Sequence, residues 1–443
     1  MLKKLILIFT ILPTLIMAQH TIKGSFSPAE EFNYALLYKV TPNSNIYVNN
    51  AEIKDGKFSF ELDSTVTKGM YRLVYALPQE EYNFDIIYNA KEDIVLNFNQ
   101  EVGVNYTKSV ENMLINSYTS DMAAISQNIG EFFKTNSKDT LALIDVFKVQ
   151  SKAQNDYEKV AEGTIAESFI KANRPYIPEG FEDIKSYVKN LKQHYFNNVD
   201  FNDKTLQSSN FLSERIINYV FGMTDESLDD MAIYRENIDN VFNAMLDADL
   251  SIKKMLFTDL WQQLVDINLE EIAIYVSDKY LLDLAEKTED TELVLELNKF
   301  KIISIGTIAP DFSLETSLND VTTKTKLSEL TVANEYVIVF WSSSCSHCLE
   351  EIPQLHAFIK TQEKENVQVI AIGLEDEPYN WQNLIVQYPN FMHVLGIGKW
   401  TNKLGKLYNV NATPTYFLLD KDKKIIAKPD DIVALKQYFE DQK

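Results

Sequence analysis

The stretch EYVIVFW, residues 335–341, restricts the possible folds of this chain more than any other. A half-exposed strand alternates apolar and polar residues, whereas a short, almost unbroken apolar run needs cover on both faces. SSSCSHC follows at once, and then a helical pattern that puts Leu349, Ile352, Leu355 and Ile359 on one side. VQVIAIGL (367–374) reads as a second buried strand and YNWQNLIVQY (379–388) as helical. PTYFLLDKDKKIIAK (414–428) reads as a hairpin, and DIVALKQYFEDQ (431–442) as a closing helix. Strand–helix–strand followed by hairpin and helix predicts an α/β sandwich around a mixed sheet.

Upstream the texture differs twice. Between His20 and Asn99, YALLYKV, KFSFEL, MYRLVYAL and FDIIY alternate like short strands. Asp55-Gly56 between AEIK and KFSFEL is a hairpin signal, because both residue types tolerate positive φ. From about Glu101 to Phe300 the period becomes helical. Leu114, Tyr118, Met122, Ile125, Ile129 and Phe132 form one stripe, and Ile252, Leu256, Leu260, Leu264 and Ile267 another, both read as core-facing. The predicted fold class is multidomain α+β. It comprises a signal peptide (1–18), an antiparallel β-sandwich-like domain (19–103), a helical spacer (104–302) and an α/β domain (303–443).

The chain carries 64 acidic against 42 basic residues, a net charge of −22, which argues against nucleic acid or an anionic membrane surface as partner. Its first residues have the form of an export signal. Lys3 and Lys4 precede the apolar stretch Leu5 to Met17, and Ala18 is a small residue at the expected cut. Ile16 at the −3 position is not small, so an uncleaved anchor is the alternative. Export implies an oxidising, periplasmic setting, where cysteines usually serve as staples. This chain has only two, Cys345 and Cys348, three positions apart.

That pair falls at a strand-to-helix junction. Free N–H groups and the positive end of the helix dipole stabilise a thiolate there. Cys345 at the helix start is the predicted nucleophile, Cys348 one turn on the resolver, and Ser343 or Ser344 the helix cap. A zinc site would need four ligands, with His347 and His356 completing the set only in an unusual geometry. A structural disulfide here would close too small a loop to stabilise much. Redox exchange uses every feature of the segment.

Residues 303–443 resemble the thioredoxin fold and, within it, the TlpA/ResA-like exported thiol–disulfide oxidoreductases. The likeness rests on Ala309-Pro310-Asp311-Phe312, VIVFW ending at Trp341, Cys345-Ser346-His347-Cys348, Glu351-Ile352-Pro353, and YNVNATPTYFLLD with Pro414. VNNAEIKDGKFSFEL (48–62) is similar to the β domain that precedes such domains in Bacteroidetes proteins. The resemblance implies a cis Pro414 facing the cysteines, with the Thr413 backbone left to pair with a substrate strand. It implies proton handling by Glu375 or Asp376 after the second strand, and it aligns Glu351 with the family's acid after the cysteine pair. Two positions depart from thioredoxins proper, which carry a buried Asp at Val339 and Trp at Ser344. His347 before the resolving cysteine favours a stabilised Cys345 thiolate and an oxidising disulfide, whereas the family leans towards reduction.

The sequence therefore predicts an exported thiol–disulfide oxidoreductase acting on protein thiol or disulfide clients and recycled by a membrane redox partner. Trp341 is expected to shape the surface near the site, and no metal or organic cofactor is implied. Two rivals stand. A peroxiredoxin-like peroxidase wants Pro-x-x-x-Thr-x-x-Cys, but Ile338 and Ser342 occupy the Pro and Thr positions. The other is a non-enzymatic binding or assembly protein that uses the thioredoxin fold as a scaffold.

Overall fold

A computed structural model describes residues 20–42, 44–79, 81–223, 229–318, 321–361 and 367–441. The export-signal pattern at 1–18 lies outside the described residues. The chain divides into two compact units, 1–256 and 257–443. Among the described residues no helix is long and apolar enough to cross a membrane.

The first unit opens with eight strands: β1 (His20–Ser27), β2 (Tyr34–Thr41), β3 (Ser44–Glu52), β4 (Lys57–Leu62), β5 (Gly69–Val74), β6 (Asn83–Tyr88), β7 (Ile94–Asn99) and β8 (Gly103–Lys108). They form two four-stranded sheets, β4-β1-β7-β8 and β3-β2-β5-β6. β4 shows why: Phe58, Phe60 and Leu62 are buried while Lys57, Ser59 and Glu61 are exposed. Their side chains join Ile22, Phe26, Tyr71 and Leu96 in one core. The Asp55-Gly56 turn has positive φ at both residues, 50° and 74°, with Lys54 and Lys57 exchanging backbone hydrogen bonds across it. Every pairing is antiparallel except β1 with β7, which run parallel.

Helices follow, beginning with Val110–Lys134, which is fastened to β6 by one side chain. Asn112, buried, accepts from the Ile87 N–H at 2.8 Å and donates to the Ile87 carbonyl at 2.7 Å. Tyr118, Met122 and Ile129 of the first predicted stripe are buried. In the second stripe Ile267 lies beyond the end of its helix, Leu250–Asp266, and is exposed.

The second unit contains the hairpin β9 (Ser313–Leu318) and β10 (Val321–Lys326). Its main sheet is built from β11 (Glu335–Trp341), β12 (Val367–Glu375), β13 (Met392–Ile397), β14 (Thr415–Asp420) and β15 (Ile425–Ala427). The order is β13-β12-β11-β14-β15, with β11, β12 and β13 parallel and β14 antiparallel to both β11 and β15. The unbroken apolar run is the central strand, covered on both faces. Tyr336, Ile338 and Phe340 pack with Phe312, Leu327 and Tyr408. Val337, Val339 and Trp341 pack on the other side with Cys348, Ile352, Leu355 and Leu435. The latter residues come from the helices Ser346–Ile359 and Ile432–Asp441. Leu349, predicted on the buried side of its helix, is 45% exposed. Gly373 in β12 is required by its neighbour, since a Cβ there would sit 2.1 Å from Trp381 Nε1. The protein is thus multidomain α+β, with N-terminal β sheets, a helical region and a C-terminal thioredoxin-like α/β domain.

Candidate active site

β11 ends at Trp341, and Ser342-Ser343-Ser344 carries the chain to Cys345 at the head of the Ser346–Ile359 helix. The predicted serine cap is corrected here. Cys345 itself is the N-cap, with φ −95° and ψ 119°, and its sulfur accepts the Cys348 N–H at 3.3 Å. The sulfur takes the part a capping oxygen usually plays, satisfying one of the free donors of the first turn.

The two thiols have opposite surroundings. Cys345 is partly exposed, and Cys348 is fully buried in the core beside Trp341, Ile352 and Tyr416. Burial pushes the Cys345 thiol up. Hydrogen bonds from the Cys348 side chain and N–H, from the Thr413 side chain and from the His347 backbone outweigh it and hold the thiol below its usual range. Burial pushes the Cys348 thiol up to about 12, and its hydrogen bond to Cys345 adds to the rise. One sulfur is prepared as a thiolate and the other as a thiol.

Opposite the pair, Thr413–Pro414 is a cis peptide bond, and the Cys345 thiol donates to the Thr413 carbonyl at 3.2 Å. Beneath the loop, Glu375 at the end of β12 is 4% exposed. It accepts from the Ser343 N–H at 2.5 Å, the Ser343 hydroxyl at 2.9 Å and the Ser342 hydroxyl at 3.4 Å. Asp376, next along, is exposed. Of the two acids the sequence offered, the structure brings Glu375 to the cysteine loop, where its oxygens face the serines. Glu351 lies one turn beyond Cys348. Its Oε2 accepts from the Tyr416 hydroxyl at 3.0 Å and from the Ile432 N–H at 2.9 Å.

Two expectations change. Trp341 does not shape the surface: it is 1% exposed and packs under the site, because it lies on the helix-covered face of the central strand. The His347 ring is exposed, and the group of His347 that bears on the Cys345 sulfur is its backbone N–H. His356 sits apart, edge-on to Tyr388 and Phe391 at 5.2 and 5.4 Å.

Sequence reasoning missed two residues. Tyr416 is signalled only by strand alternation from Pro414. Lys399, which donates to the Ser344 hydroxyl at 3.3 Å, comes from 55 residues away on a turn where Gly398 and Lys399 both have positive φ.

Residues 305–428 match the family model described as AhpC/TSA family. The thiol-disulfide oxidoreductase ResA of Bacillus cereus is 30% identical over 89 residues, 20% of this chain and 50% of that protein. The Bacillus anthracis protein of the same name is 29% identical over 87 residues, 20% and 49% of the two chains. The chain thus spans about half the length of the curated relatives it matches. A solved thioredoxin-like protein from Bacteroides caccae covers 61% of this chain and is itself 98% covered, at 20% identity and a TM-score of 0.43. The C-terminal unit has a thioredoxin-like α/β fold and is similar, at low identity and over part of its length, to ResA-type proteins.

Proposed function

We propose that this chain is an exported, periplasmic thiol–disulfide oxidoreductase that exchanges disulfides with protein clients through Cys345 and Cys348. The carrying observation is the asymmetry of the pair: a partly exposed thiol held low at a helix N-terminus and a buried thiol held high. In the reducing direction the Cys345 thiolate attacks a client disulfide, forming a mixed disulfide and releasing one client thiolate. Cys348, as thiolate, then attacks the Cys345 sulfur, closing the Cys345–Cys348 disulfide and releasing the second client thiolate. The client gains two electrons and the pair loses two; a membrane dithiol partner restores them. The oxidising direction is the reverse. Pro414 and the Thr413 backbone present the client strand to Cys345, Glu375 anchors the cysteine loop, and no metal or organic cofactor takes part.

The proposed signal peptide (1–18) delivers a β domain (19–103), a helical spacer (104–302) and the redox domain (303–443). The AhpC/TSA match favours a second reading, peroxide reduction. Against it, the Ser342 hydroxyl bonds Glu375 and Ser344 in place of the Cys345 sulfur, and Ile338 stands where a proline is wanted.

The test is a trapping experiment. Cys348→Ser accumulates a mixed disulfide with exported clients, and Cys345→Ser loses both the adduct and turnover. Full peroxide turnover with no client adduct would transfer the assignment to the peroxidase. Unchanged partner capture by Cys345→Ser would transfer it to a scaffold. Equilibration with glutathione then gives direction, with a potential near about −270 mV marking a reductant and about −120 mV an oxidant.

A further inference from the structure

Acidic residues outnumber basic ones by 64 to 42, yet one cleft in the first unit has the opposite charge. It encloses about 430 Å³, within the range of small-molecule sites, and is lined by Lys39, Lys68, Lys91 and Lys204. Four separate segments deliver them: β2, the residue before β5, the turn between β6 and β7, and the start of the short helix Lys204–Gln207. Glu111 is the one carboxylate among the lining residues. It is buried and committed to backbone, accepting from the Ile165 N–H at 2.7 Å and the Ala166 N–H at 3.2 Å.

None of the four ammonium groups is paired with an acid among the described residues. Lys39 lines the cleft with its stem and donates to the Thr67 hydroxyl of a neighbouring one, and Lys204 donates to the Gln207 side chain at 3.0 Å, both neutral partners. Lys68 and Lys91 are exposed. Like charges converging on one cleft repel each other, and a cleft with protein walls concentrates their field, which draws in counter-ions. Each ammonium is a compact charge with three donors, so Lys68, Lys91 and Lys204, with Lys39 close by, are matched by several anionic oxygens and not by one carboxylate.

We propose that this cleft binds a small, soluble polyanion carrying two or more phosphate groups. The site is independent of the redox pair and does not rest on the reading of that pair.

Inorganic pyrophosphate is the probe, titrated calorimetrically into the full chain. The expected result is saturable one-to-one binding that weakens as salt is raised. Lys68→Glu/Lys91→Glu weakens it by about tenfold or more, and Lys68→Gln/Lys91→Gln weakens it less. Lys159→Glu/Lys185→Glu, exposed lysines outside the cleft, leaves it unchanged. Circular dichroism of each variant confirms an unaltered fold. Absence of saturable binding, or equal weakening by the cleft and control pairs, overturns the proposal.

Discussion

Replacing Glu375 by alanine tests whether the cysteine loop is held from below. The carboxylate is 4% exposed and serves three donors of the loop: the Ser343 N–H, the Ser343 hydroxyl and the Ser342 hydroxyl. Hydrogen bonds to a charged group contribute about 1.5–3 kcal/mol each, and the first two, at 2.5 and 2.9 Å, fall in that class. The third, at 3.4 Å, adds little. Because the bonds share one acceptor they do not add fully, so Glu375→Ala costs about 3–5 kcal/mol. For a unit of this size that lowers Tm by roughly 6–20 °C. Glu375→Gln keeps an acceptor for the Ser343 N–H and loses about half as much. The assay is selective, since all four tryptophans, Trp261, Trp341, Trp381 and Trp400, lie in the second unit, so indole fluorescence follows its melting. In the same variant, ultraviolet absorbance of the thiolate reports Cys345, whose titration midpoint rises as the loop loosens. An alanine variant melting within about 2 °C of the parent, with an unmoved thiolate midpoint, would refute the anchor.

Alkylation of the reduced protein should reach its half-maximal rate below the free-thiol value of about 8.5, because Cys345 ionises early. Peptide mapping should find Cys348 unmodified until pH approaches about 12. Tyr416→Phe removes one donor from Glu351 and leaves the Ile432 N–H in place, lowering stability by about 1–2 kcal/mol in denaturant titrations. Gly373→Ala drives a methyl into the Trp381 indole and costs about 1–3 kcal/mol, visible as a lower fluorescence midpoint. An unchanged midpoint would show that Trp381 moves aside freely.

The central strand, its neighbour, the hairpin and the cysteine helix were legible because their periods are distinct. The run 335–341 admits one arrangement, and the structure covers both its faces. β13 was not legible: four of its six residues are half-buried in sequence, so neither alternation nor an apolar run marks it. The parallel pairing of β1 with β7 joins strands about 70 residues apart, and nothing local encodes it. Glu375 ends a strand buried at every residue but Gln368, and Asp376 follows it directly, so alternation does not separate the two acids. Position in the sheet does, because Glu375 still pairs with Ile397 while Asp376 lies past the last pair. Trp341 was readable and was misassigned. Counting by twos from Val337 places it on the face under the helix.

Holding one thiol low and the other high raises the question of how the second ever becomes nucleophilic. Burial alone would keep Cys348 protonated throughout. Two of the influences that raise it, however, come from Cys345: the hydrogen bond Cys348 donates to that sulfur, and repulsion from its charge. Both disappear when the Cys345 sulfur becomes part of a mixed disulfide, since the bonded sulfur carries no charge and is a poor acceptor. Burial then remains as the one raising influence, opposed by the hydrogen bonds from Ser342 and Thr413 that favour the thiolate. In the proposed exchange the first step would thus remove part of what restrained the second. On that proposed exchange, Cys348 is held back while Cys345 is free to react, and the restraint eases once there is a mixed disulfide to resolve. The spacing of three residues on one helical turn gives this order to the pair: it puts the Cys348 N–H and side chain on the same sulfur.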